Sequence, residues 1–517
     1  MSAKRRVLFL VLCLLLSGAL TAMSAYYCCD NDYAFGKTTF SARPQGNYYF
    51  TTFMATADIT HHPQREQNYF NCTAILGYRQ NMDSYELGRY FLTQTGPLIF
   101  GNVNTDVDVQ NLQLGLANNY KGTLTMQPSV HDAIIDLDFF AGFDAWVNGA
   151  WLRINLPFAH NSWCPCIQSQ TQAIGTAYPD GFADTAGTKV PIPYSDCAQA
   201  TCGDQPFGLI PALSAGKLCN CKKTVCGLSD VHLELGYDFI RKERGNMGAA
   251  LIGAIGTGQP TGKSCNNYLL RPTIGTQNSS QLGAALRAQY ILMNFEDGKK
   301  ITLFGDARIS HVFPGCTKRL LNLSTGNNTA FNYWLLLNEY AYDGTYVGVE
   351  RAANLLNKKV KVSANAMGEA TIMIQTKQDN WDLAFGYNFW GRSKEHLTIM
   401  DPVIGNESNY YTLKNTSTWG TSLIDKNVGN ICEQPTNASY TASLTNIKKY
   451  ALTTGNIDVC TAQHPATFSN SFFVGANYKF DDMRCQPYIG IGGHVEWGCG
   501  NIALNTWGIY LHGALSI

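Results

Sequence analysis

Two short stretches carry the residue types of general acid–base chemistry, His131-Asp132 and His494-Val495-Glu496. A histidine beside a carboxylate can relay a proton, but covalent hydrolysis also needs an activated nucleophile. No serine or cysteine motif of the Gly-x-Ser-x-Gly kind accompanies either pair. Gly490-Ile491-Gly492-Gly493 leads into no helical pattern and reads as a smooth strand, which argues against a dinucleotide loop. His61-His62 reads as an exposed loop pair. These residues imply neither an enzyme nor a cofactor.

Sulfur is the next candidate. The chain has 17 cysteines, one of them (Cys13) inside an N-terminal apolar run. Cys164, Cys166, Cys197, Cys202, Cys219, Cys221 and Cys226 crowd one irregular stretch. The Cys-x-Cys spacings are not zinc-ribbon pairs and no histidine lies within the cluster, so disulfides are expected there rather than a metal. Their connectivity is not readable from spacing.

The ionisable residues with the most regular spacing sit at every second position of apolar runs. They are Asp136, Asp138, Arg153, Glu234, Asp238, Arg287, Asp306, Arg308, Glu369, Asp382 and Glu496. Charges ranked along one face need water or partners, because burying them alone is prohibitive. As the lining of a lumen they would favour small solutes, with a mild preference for cations because carboxylates outnumber arginines. The other reading is internal pairing, in which neighbours such as Asp306 and Arg308 neutralise each other and fill a narrow interior.

The elements that must position these charges are strands. In 229–240, Val231, Leu233, Leu235, Tyr237 and Phe239 alternate with His232, Glu234, Gly236 and Asp238. That period of two marks a sheet with one apolar and one polar face. The pattern recurs at 133–144, 150–158, 281–293, 301–309, 366–376, 380–390, 468–479, 485–496 and 505–517, and a small-residue strand is expected at 246–256. Tight turns alternate with long connections near 160–228, 257–280, 314–365 and 391–467. Strands of 11 to 13 residues exceed soluble ones but fit a tilted bilayer crossing. Further strands are expected near 46–58, 69–79 and within 85–117. The expected fold is an all-β, antiparallel, up-and-down transmembrane barrel of about 14 strands (12–16), with short periplasmic turns and long cysteine-containing outer loops. Tyr237, Phe239, Tyr387, Phe389, Tyr478, Phe480 and Trp497 are placed for aromatic girdles at the strand ends.

Composition agrees. Of 517 residues, 15% are charged and 12% aromatic, and the formal net charge is zero. A neutral chain has no basic excess with which to grip nucleic acid. The mean hydropathy of −0.13 suits two opposite faces averaged together rather than a bundle of apolar helices. Residues 1–25 have the layout of a secretory signal: Lys4, Arg5 and Arg6, an apolar run of Val7 to Leu16, then small residues to Ala25. The domain plan is thus a signal peptide (1–25) and one barrel (26–517), in the outer membrane of a Gram-negative cell.

Three runs carry a family likeness: Leu114 to Leu124, Ala150 to His160 and Phe385 to Arg392. They resemble uncharacterised, porin-like outer-membrane barrels of host-associated bacteria, over most of the chain from about residue 110. The final segment, with Trp507, Ile509, Leu511, Leu515 and Ile517 on one face, resembles the targeting strand of outer-membrane proteins, which normally ends in an aromatic residue. The likeness implies partnership with outer-membrane lipid and, through that strand, with the barrel-assembly machinery; homo-oligomers are an option. The functional expectation is a porin-like channel for small solutes. The alternative is a structural or surface-interaction barrel with disulfide-stiffened loops and no transport.

Overall fold

The computed structural model describes residues 34–516 apart from 42, 47, 62–66, 103–106, 177, 179–181, 184–189, 259–266, 297, 325–329, 402–403, 405–408, 415–443, 481–482 and 484. The expected signal at 1–25 and His62 lie outside the described residues.

Twelve antiparallel strands close into a barrel. In chain order they are β1 (Tyr69–Asn81), β2 (Ser129–Gly142), β3 (Ala150–Cys164), β4 (Val231–Lys242), β5 (Gly245–Ile255) and β6 (Gln281–Asn294). They continue with β7 (Lys300–Leu320), β8 (Asn357–Gln378), β9 (Trp381–Arg392), β10 (Thr467–Lys479), β11 (Tyr488–Gly498) and β12 (Thr506–Ser516). Each strand pairs with the next, and β12 returns to β1 in the register Asn71↔Ser516 to Asn81↔Thr506. Two short strands, Lys223–Leu228 and Glu395–Ile399, bond to the outer halves of β3 and β8 and bring the sheet to fourteen. Closure leaves no open edge, which is what a sheet in lipid requires.

The two rims differ. At one, the strands are joined by short turns, among them 243–244 and 379–380. At the other, the described parts of the connections 82–128, 165–230, 256–280, 321–356 and 393–466 build a folded cap. β7 and β8 run on past the barrel as a two-stranded ribbon, paired as far as Leu320↔Asn357. The cap has a conventional core, in which Tyr90, Trp163, Leu213, Tyr333, Trp334 and Leu356 pack together. It holds a second helix, Ser84–Phe91, whose N-terminus is capped by the Asp83 carboxylate. Cys202 and Cys219 are disulfide-bonded there, while Cys164, Cys166, Cys197, Cys221 and Cys226 carry free thiols.

Two expected strands are not part of the wall. The region 85–117 lies in the cap, as that second helix and the short strands Leu98–Gly101 and Val109–Gln110. The region near 46–58 is a helix, α1 (Tyr49–Thr60), and it lies inside the barrel. A segment enclosed by a closed barrel finds no free strand edge, so its backbone must satisfy its own polar groups, as a helix does. Phe50, Phe53, Met54 and Ala57 are spaced for one helical face and are buried against Phe304, Met373, Phe473 and Tyr510 of the wall.

Candidate functional site: the occupied lumen

Along β4 the exposure is inverted relative to a water-soluble sheet. Leu235 is 60% exposed and Tyr237 50%, while Glu234 is 4% exposed and Asp238 7%. The same holds around the ring, with Leu76, Leu251, Ile309, Leu383, Ile491 and Ile509 outward. In water this arrangement would waste apolar burial on every strand; in lipid it is the low-energy one. Among the described residues no helix is long and apolar enough to cross a membrane; the strands cross.

The protein is a membrane-spanning β-barrel.

No family model matches the chain, and no curated protein matches its sequence. Among solved structures it is similar to an outer-membrane channel from Pseudomonas putida F1 (9% identity, 88% of this chain, 98% of that one, TM-score 0.33). It is similar also to the Pseudomonas putida toluene transporter TodX (8% identity, 94% and 98% covered, TM-score 0.33). A third likeness is to the transport unit of the Escherichia coli autotransporter AIDA-I (8% identity, 92% and 100% covered, TM-score 0.31). At these identities and scores the likenesses assign neither substrate nor mechanism to this barrel.

The chain enters the barrel from the cap side. Gly36 donates its N–H to the Leu92 carbonyl, Thr38 its hydroxyl to the Leu320 carbonyl, and the Phe40 ring meets Tyr90 and Trp163. It then turns at Gly46, whose φ of +88° and close approach to Ala159 and Ser229 leave no room for a side chain. From there α1 runs to the short-turn rim, where Asp58 pairs with Lys479 and the His61 carbonyl accepts from Asn246. Gly475 on β10 makes the room: a Cβ there would sit 2.4 Å from the Met54 sulfur.

The eleven spaced charges all lie on the wall side facing α1, and most are engaged. Arg43 reaches Glu369 at 2.6 Å and Glu496 at 3.1 Å. Thr52 donates to Asp136 at 2.8 Å, and Tyr49 to Asp306 at 3.1 Å. Arg153 binds Asp138 at 2.7 Å and donates to the Tyr49 hydroxyl and the Thr56 hydroxyl, each at 2.9 Å. Asp238 and Arg287 form a two-bonded pair, at 2.8 and 2.6 Å. Arg308 lies 3.1 Å from Glu234 and 3.6 Å from Asp306, and Lys479 is 3.1 Å from Asp382. Between α1 and the wall are two cavities of about 10 Å³ each, one beside Asp136 and one beside Arg287. Each is the size of a single water site. The charged lining and the packed interior therefore coexist, because the wall charges pair with one another and the chain's own segment supplies further partners.

Sequence spacing missed several members of this network. Arg79 and Asp132, 3.1 Å apart, sit on the inward face of β1 and β2 and were within reach of the period-two argument. Tyr49, Thr52, Thr56 and Asp58 fall in the segment expected as a strand, which hides their inward role, and Arg43 precedes it with no periodic pattern to mark it. His61 is not exposed: it is 2% accessible, edge-on to Phe53 and Phe304. A loop histidine at the end of a plug is enclosed by the wall that encloses the plug.

The acid–base pairs come apart in space. His131 points outward to Tyr78 and Ser129, whereas Asp132 points inward to Arg79, since consecutive strand residues face opposite sides. His494 and Glu496 share the inward face. Glu496 is taken by Arg43 and by the Ser469 hydroxyl, and neither ring nitrogen of His494 has a hydrogen-bond partner among the described residues.

Proposed function

We propose that the protein is an outer-membrane channel for small solutes, closed in this state by its own N-terminal segment, residues 34–61. One observation carries the reading: beside its apolar face, the segment meets a charged wall through polar contacts that water can replace. A barrel meant only to anchor a cap would be filled as well by apolar side chains, since buried ion pairs bring little net stability over them. Displacing 34–61 would leave Asp132, Asp136, Asp138, Glu234, Asp238, Asp306, Glu369, Asp382 and Glu496 against Arg79, Arg153, Arg287, Arg308, Lys300, Lys377 and Lys479. That excess of carboxylates supports a preference for cations.

The test is planar-bilayer recording of folded protein, intact and lacking residues 34–61. The expected result is rare openings from the intact chain and frequent, cation-selective steps from the truncated one. Absence of steps above background from a truncated barrel that still shows heat-modifiable migration overturns the channel reading. The second reading, a surface-interaction barrel without transport, draws on the cap with its own core and disulfide, and it would then stand.

A further inference from the structure

Where the β7–β8 ribbon leaves the barrel, a cavity of about 30 Å³ opens beneath the cap, distinct from the two beside α1. Its lining includes the polar Arg319, Arg392, Thr317 and Glu395, the apolar Val312, Val362, Ala364 and Met367, and Ser41 and Pro44 of the N-terminal segment. Both arginine side chains are more than nine-tenths buried, at 1% and 8% exposed.

Their pairing differs from that of the lumen. Arg319 and Arg392 share one oxygen of one carboxylate, Glu395 Oε1, at 3.4 and 3.5 Å. The lumen's best pairs close at 2.6 to 2.8 Å, the normal range for charge-assisted bonds. The other Glu395 oxygen is occupied by the His464 backbone N–H at 2.9 Å. Arg392 has one further contact, a long 3.5 Å approach to the Ser41 hydroxyl. Nε and Nη1 of Arg319, Nε and Nη2 of Arg392, and the Thr317 hydroxyl are buried without a protein acceptor among the described residues. Two guanidiniums against one carboxylate leave a single positive charge, which is costly to bury uncompensated.

We infer that this cavity is a binding site for a small monocarboxylate. Such a ligand carries the one negative charge that balances the site. Its two oxygens match the planar fork of a guanidinium, and a short alkyl group meets the Val312, Val362, Ala364 and Met367 side chains. The site lies above the lumen contacts, so it stands or falls independently of whether the barrel conducts.

Propionate is the probe, with chloride and inorganic phosphate at matched ionic strength as comparisons, and the readouts are calorimetric titration and thermal unfolding of folded, full-length protein. Saturable binding and stabilisation by propionate are expected, weakened by about tenfold or more in Arg319→Gln and Arg392→Gln. Glu395→Gln retains an oxygen for the His464 N–H and frees both arginines, so it tightens binding by about tenfold. Should the arginine variants fail to fold, Glu395→Gln decides alone, and unchanged affinity overturns the site. Equal effects of chloride and propionate, or propionate binding that is unaltered in all variants, also overturn it. Stronger binding of phosphate than of propionate overturns the monocarboxylate assignment.

Discussion

The barrel and the cap are built from one chain with opposite rules. In the wall, Leu235 faces out and Glu234 faces in; in the cap core, Trp334 and the Trp163 ring, which β3 contributes from its outer end, are sealed inside, each at 1% exposure. The cap obeys the ordinary economy of burial in water, in which apolar area removed from solvent supplies the driving force. The wall gains nothing by packing leucines inward, because its outer medium is already apolar. It uses the inside for charges, and its N-terminal segment completes them. Hydrophobic burial thus explains the cap directly, and it explains the barrel only after the solvent on each face has been named.

That contrast can be broken from either side. The largest effect is expected in the cap: Trp163→Ala removes a buried indole and the bond it donates to Asn161 at 2.8 Å. It should cost about 3–5 kcal/mol of cap stability while leaving the barrel's heat-modifiable migration intact. Limited proteolysis on folded protein checks it; simultaneous loss of both signals would show that the regions unfold as one. In the wall, Leu235→Arg should cost about 2–4 kcal/mol of insertion stability, whereas the same change in a water-facing sheet would be nearly silent. Refolding into lipid vesicles along a urea series measures it.

A smaller effect in the cap is set by pH. His464 is buried between Phe40 and Tyr90, and burial, aided by the Arg392 charge, pushes its imidazole down to about 3. A base with a lowered folded pKa contributes stability that is complete above its unfolded value near 6.5. That stability is lost as the pH falls from 6.5 toward 3, because only the unfolded chain then takes up the proton. Cap stability should therefore drop by about 2 kcal/mol on going from pH 7 to pH 5, and His464→Gln should flatten that slope in tryptophan-fluorescence unfolding curves. The smallest expected change is Asp83→Ala, which removes the bond from the Glu86 N–H at 3.0 Å. It should cost about 1 kcal/mol, visible as faster proteolysis near 84–91.

How much of this was legible depends on whether the medium of each face could be inferred locally. Alternation in 231–239 named both the strand and its two faces, since side chains on a strand alternate whatever lies beyond them. The inward placement of Asp136, Glu234 and Arg308 followed from the same period. α1 was misread because Thr51, Thr52, Thr56 and Thr60 are β-branched, a composition that favours strands. The helical spacing of Phe50, Phe53, Met54 and Ala57 was present but weak beside it. Inside the barrel the threonines serve a helix: Thr56 and Thr60 bond the carbonyls four residues back, and Thr52 and Thr56 meet Asp136 and Arg153.

Sequence alone determined the twelve strands that form the wall, their lipid and lumen faces, and the asymmetry of short turns and long connections. Each of these follows from a period of two and from turn chemistry, which are local. The two further strands that the sequence suggested are a helix and part of the cap. Only the tertiary structure decided that twelve strands close the ring, that residues 34–61 fill it, and that Arg319, Arg392 and Glu395 meet beneath the cap. Those outcomes depend on which distant surfaces come together once lipid, water and the enclosed chain have each taken a face, and no local pattern encodes that division.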